Sequence, residues 1–389
     1  MITVKNADAA LKEYYLDAFK AQLDANVSPF FSAIEKNADS VSGKDVKLAV
    51  VRGNMGGIVS GSEDGDLPDP YKNRYVNLTV PLKNLYGTIE ISDKAMRASR
   101  ESAGAFVNLV NAEMEGLVSS AKENLRRMLF GDGSGLICMV LNKVNSRVYK
   151  VDFVRTYLIG MQIDFYTQAG EPIAIDGSVF ITDVNVNEST ITLNTDINAD
   201  INRAYIYVHG SKGNELTGLV KLFNSDDIYG VSKGYDSYFM PYSLNSSGPL
   251  SLQKLCDMLD YMEEHKDSKI NMILCSYKTR KMIASLADDS RRVVNTIDVH
   301  TGYGTVTVNN VPVYAEKYCR DNIIYFLNTD DFALYQLCDW EWLEDEDGKI
   351  LKQIPGKAAY SATLVKYAEL ICRKPCGQAC LTDFDPDYD

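Results

Sequence analysis

From about Ser102 to Leu129, apolar residues return every three or four positions: Phe106, Val110, Met114, Leu117, Ala121, Leu125 and Met128. That rhythm places them on one stripe of an α-helix. At about 1.5 Å per residue the helix spans on the order of 40 Å, and everything packed along it is constrained by that length. "GDGSG" at 131–135 stops it, since glycine adopts the left-handed conformation that ends helices. The cluster does not read as a phosphate loop, because it follows a helix instead of opening one and has no Gly-Lys-Ser/Thr.

Ahead of the helix, "VKLAVVRGN" (46–54) reads as a strand, and "YVNLTVPLKN" as a second. In the second, Val76, Leu78, Val80 and Leu82 share one face, with Asn77, Thr79 and Lys83 on the other. The loop between them, "MGGIVSGSEDGDLPDP", is punctuated by glycine and proline. Together they predict an extended hairpin with a polar tip. Little nearby sequence could cover it, and an isolated ribbon is marginal in water, so a partner surface is expected. The tip's carboxylates suggest calcium, but "EDGDLPDP" lacks the ligand order of a D-x-[DN]-x-[DN]-G loop and its closing bidentate Glu. "YGTIEIS" (86–92) predicts a short strand leading to the long helix.

The N-terminal "DAALKEYYLDAFKAQL" reads as an amphipathic helix with Leu11, Tyr14 or Tyr15, Ala18, Phe19 and Leu23 on one face. "PFFSAI" adds Phe30, Phe31 and Ile34. With little of its own to pack against, this arm is expected to lie on another domain or subunit. Residues 136–212 are β-rich, in short runs separated by Gly, Asn and Asp turns, and predict a small barrel or sandwich. The last third is mixed. Ser251 and Ser276 are placed to cap helices, "INMILC" reads as a buried strand, and "GTVTVNNVPVY" as two strands around an Asn-Asn turn.

The composition excludes several functions. A net charge of −13 gives no clustered basic surface for phosphates. No secretory signal is visible, and the longest apolar run, "LICMVL", is too short to cross a bilayer. Cys372, Cys376 and Cys380 lack the paired C-x₂-C spacing of a zinc site, and eight scattered cysteines suggest reduced thiols. None of the three histidines, His209, His265 and His300, belongs to a hydrolase or metalloprotease motif. Trp340 and Trp342, beside the acidic run 339–348, form the one candidate sugar-binding pair, although such residues more often fill a core. No catalytic, cofactor-binding or metal-binding residue is assigned.

The order of elements resembles the major capsid proteins of tailed phages, the Hong Kong 97 fold. The segment 63–99 looks like that family's E-loop return, "LRRMLFGDGSG" like the end of its spine helix, and "MILCSYKTRKMIASLAD" with "VNNVPVYAEKY" like its axial domain. The resemblance implies an α+β chain in five parts. These are an N-terminal arm (1–45), an E-loop hairpin (46–92), a spine helix with peripheral domain (93–135), an inserted β-rich domain (136–212), and an axial domain with the rest of the peripheral domain (213–389). It implies intersubunit contacts at Glu63, Asp66, Leu67, Pro68 and Tyr75, and a spine-helix seam of Phe106, Val110, Met114, Leu117 and Leu125. The implied function is self-assembly into pentamers and hexamers of an icosahedral virion shell, formed in the host cytoplasm around double-stranded DNA that it does not bind specifically. Implied partners are further copies, a portal protein, and a scaffolding or decoration protein; no membrane and no cofactor are implied. An encapsulin-like compartment is the alternative within the same fold, and a carbohydrate-active or metal-dependent hydrolase the alternative outside it.

Overall fold

The computed structural model describes residues 16, 20, 28–39, 41–52, 60, 63, 75–94, 103–157, 159–234, 236–289 and 306–385, with 103–111 and 287–289 as backbone only. The chain is α+β. Its long helix runs Ala103–Leu129, and Met114, Val118, Leu125 and Leu129 are buried along it. Leu117 is half-buried and closes on the strand Lys83–Ser92 at Gly87, where a Cβ would lie 2.9 Å from its methyl carbon. The side chains of Phe106 and Val110 lie outside the described residues. The helix tightens at its end through Phe130 N–H to Arg127 O (3.1 Å) and Gly131 N–H to Met128 O (3.0 Å). Gly133 and Gly135 then turn the chain at φ +78° and +81°.

The helix lies against a sheet in which Ala359–Cys372 is central. Lys83–Ser92 pairs antiparallel along one side of it, and Phe332–Trp342 antiparallel along the other. The first of these strands starts three residues before the predicted 86–92. Glu35–Asn37 adds to Phe332–Trp342 in parallel. Just before it, Ser28 caps the turn Pro29–Ala33, and the fully buried Phe30 meets Phe130 and Phe332 edge-on at 6.5 and 5.2 Å. Residues 28–37 of the arm therefore pack on other elements of their own chain, the first of the two supports expected for it.

The hairpin strands Asp45–Val51 and Tyr75–Pro81 pair from Asp45↔Pro81 to Val51↔Tyr75. Their alternation buries Val46, Val50, Leu78 and Val80 in the same core as Phe30 and the long helix. The expectation of a partner surface is thus corrected for this face, which sequence-distant parts of the same chain cover. Alternation specifies that one face is buried without specifying against what.

Residues 136–208 form six strands, in the order 163–166, 205–208, 136–143, 148–151, 190–193, 181–185. Ile163 N–H to Val179 O and Ile181 N–H to Met161 O, both 3.0 Å, join the two ends and close the sheet on itself. Val140, Tyr149, Ile191 and Ile206, all fully buried, anchor a separate core. A third core lies where the helices Leu252–Lys266 and Tyr277–Asp289 cover a six-stranded mixed sheet. Ser251 and Ser276 accept from the N–H groups of Lys254 (3.3 Å) and Thr279 (3.2 Å). Asn309 and Asn310 make their turn at φ 48° and 65°, the left-handed pair a two-residue hairpin requires.

Returning from the closed sheet, the chain crosses the end of the long helix at Gly218, where a Cβ would lie 2.3 Å from Met128 O and 2.6 Å from Leu129 O and Gly131 O. Gly218→Ala is therefore expected to lower unfolding stability by about 1–3 kcal/mol or more. Gly116→Ala, in the helix interior with nothing within 4 Å, is expected to raise it by roughly 0.5–1 kcal/mol. Urea unfolding midpoints of the two variants check both signs.

Candidate assembly surfaces and the junction behind them

The described residues contain no group of three or more His, Cys, Asp or Glu side chains that could hold a metal ion. Trp340 and Trp342 are each 5% exposed and belong to the main core. Both side chains are almost wholly packed, which speaks against the sugar-stacking pair of the hydrolase reading. Strand alternation beside an acidic loop looks alike whether the aromatic face is solvated or packed. His209 contacts Asp164 through its Nδ1 at 2.8 Å on the surface, and the ring of His265 lies 4.6 Å from that of Tyr261. His300 lies outside the described residues.

Of the residues expected to make intersubunit contacts, Glu63 is exposed, while Asp66, Leu67 and Pro68 lie outside the described residues. Tyr75 is 57% exposed, across from Val51 at 42%. This apolar pair lies on the ribbon face opposite Val46, Val50, Leu78 and Val80, so one face of the hairpin is open and the other closed.

Sequence reasoning missed the junction at 316–321, "EKYCRD". Its signal was the alternation of charge in a short connection between strands Val311–Ala315 and Ile323–Leu327. Toward the long helix, Glu316, 1% exposed, lies 2.6 Å from Arg126 Nε, and Glu123 takes hydrogen bonds from Lys317 and from Tyr318 (2.6 Å). Toward the β-rich unit, Arg155 donates to both oxygens of Asp321 at 2.8 Å. Arg320 reaches Asp152 at 3.6 Å and stacks over Phe153. Asp321 O accepts from Thr279 Oγ1 at 2.7 Å, tying in the helix of the mixed sheet. Burial pushes the Glu316 carboxyl above the ordinary carboxylate range despite Arg126. Burial also works against Glu123 and Asp321, but the hydrogen bonds from Lys317 and Tyr318, and from Arg155, hold both below that range.

A second tie fixes the return linker. Arg127 donates to both oxygens of Glu215 at 2.8 and 2.5 Å, the two side chains being 4% and 3% exposed. Two residues on, Thr217 N–H donates to Glu369 Oε1 at 2.7 Å.

No family model matches the chain, and no curated protein matches it in sequence. Solved structures do match in shape. The capsid asymmetric unit of cyanophage A-1(L) matches over 92% of this chain and 93% of its own, at 10% identity and a TM-score of 0.50. The chain has the Hong Kong 97-type capsid fold. The capsid of a native GTA particle matches over 92% and 91% at 11% identity with a TM-score of 0.49, and an encapsulin complex from Synechococcus elongatus over 93% and 90% at 11% identity with 0.45.

Within this capsid fold, Glu369 is 1% exposed behind the return linker. Burial raises it to about 7, with the Thr217 and Leu370 N–H groups opposing. Between its ordinary value of 4.5 and 7, the folded chain holds a proton that the unfolded chain has lost. The resulting stability is fully present below about 4.5 and lost as pH rises through 7. Glu369→Gln keeps the oxygen acceptor and removes the charge. Wild type is expected to lose on the order of 3 kcal/mol against Glu369→Gln between pH 4.5 and pH 8. Urea midpoints across that range check it; parallel profiles would show that Glu369 does not hold the proton.

Proposed function

We propose that this chain is the major subunit of an icosahedral phage shell, built from pentamers and hexamers and enclosing double-stranded DNA. The observation that supports it is the match of fold over nine-tenths of both chains with a phage capsid subunit. The long helix serves as the spine, and the open tip of the hairpin, with Glu63, Asp66, Leu67, Pro68 and Tyr75, reaches a neighbouring copy. Burial contributes about 25 cal/mol per Å² of apolar surface, so modest contacts repeated around each capsomer hold a shell together. The net charge of −13 keeps the wall from gripping the polyanion it encloses. The β-rich unit at 136–208 faces outward, where it steadies capsomers or receives a decoration protein. A portal protein and a scaffold are the other partners of such a shell, assembled in the host cytoplasm.

The purified chain is expected to elute as capsomers or megadalton particles and to form shells under the electron microscope. Deleting residues 55–75 is expected to abolish closed shells and leave a folded subunit. Normal shells from that variant sink the hairpin assignment, and a small discrete oligomer from the intact chain sinks the shell reading itself. Particles recovered from phage-producing cells should carry DNA. A protein cargo instead identifies a compartment of the encapsulin kind.

A further inference from the structure

Leu16 stands apart from the arm residues already placed in the core. It lies in a groove of about 520 Å³ with Glu341, Trp342, Leu343, Glu344, Val365 and Tyr367. Strand register shows how that surface continues. Tyr86 is opposite Val365, and Val365 is opposite Glu341, so the three share one face across three strands. Leu343 lies two residues beyond Glu341 and donates its N–H to Thr363 O at 2.8 Å, which keeps it on the same sheet. Tyr86 is 61% exposed and Leu343 44%. Large apolar side chains left open beside an unfilled groove that Leu16 lines need further cover.

We propose that residues 9–24 dock on this face of their own chain as an amphipathic helix anchored by Leu16. Leu16 and Lys20 are both helical. Phe19 and Leu23 follow Leu16 at three and seven residues and extend its stripe. Lys12 and Lys20 stand four residues to either side of Leu16 in the sequence and are opposite in charge to Glu341 and Glu344, which line the groove. Leu16 on the groove wall, the apolar stripe that continues from it, and lysines opposite in charge to the groove's carboxylates together favour this segment as the occupant. The alternative occupant is the same segment from a second copy. None of this depends on the shell reading.

Cys338, directly across from Tyr367, is a native reporter, and Cys256 and Cys376, also half-buried, are internal controls. Alkylation of each is followed by mass spectrometry on dilute, unassembled full-length chain. Leu16→Glu is expected to speed Cys338 alkylation by about tenfold, equivalent to about 1.4 kcal/mol of lost cover, with the controls unchanged. The exposed variant Glu344→Lys, which leaves the core untouched, is expected to act alike and to be rescued by Lys12→Glu with Lys20→Glu. An unchanged Cys338 rate in Leu16→Glu and in the charge variant overturns the docking. Protection that fades on hundredfold dilution, or failure of the rescue, overturns docking within one chain by these contacts.

Discussion

The hub of charges at 316–321 ties the long helix, the β-rich unit and the mixed sheet to one another. Five of its six residues touch the long helix through Glu123 and Arg126, the β-rich unit through Asp152, Phe153 and Arg155, and the mixed sheet's helix through Thr279. Each of the three has its own route to stability, since the β-rich unit and the mixed sheet keep separate apolar cores. Apolar burial is non-directional and would tolerate a range of angles between them. Bidentate and buried charges do not, because a displaced partner leaves an uncompensated charge out of water. The junction therefore fixes orientation where hydrophobicity fixes only cohesion.

Close backbone approach does the same work at the return linker. Gly218 rests on the last carbonyls of the long helix, and Arg127 and Glu369 hold the linker from its two sides through Glu215 and Thr217. The β-rich unit is consequently joined to the body by two pinned crossings, at 131–135 and 209–218, and by the Arg155–Asp321 pair.

Much of this was legible beforehand. The long helix, the capped helices at Ser251 and Ser276, the Asn309–Asn310 turn and the strand-rich stretch from 136 follow from periodicity and turn chemistry, which act over a few residues. The hairpin's two strands were legible too. Its cover was not, because the Val46–Leu78 face joins a core assembled from Phe30, the long helix and strands near residue 330, hundreds of positions away. Trp340 and Trp342 were ambiguous for the same reason. The tips expected to meet neighbours, Asp66 to Pro68, lie outside the described residues, so that part of the candidate surface rests on sequence alone.

The sequence by itself determined the elements and their order, since a 3.6-residue apolar period, an alternating strand and a left-handed asparagine turn are each local solutions to burying apolar surface and satisfying backbone donors. Tertiary structure alone decided which faces are closed within one chain and which stay open. It made the hairpin base, Phe30 and both tryptophans internal, left Tyr75, Tyr86 and Leu343 exposed, and brought "EKYCRD" against three separate elements. That division has a physical cause. Burial is a property of pairs of surfaces, and a chain read along its length reveals only one surface of each pair.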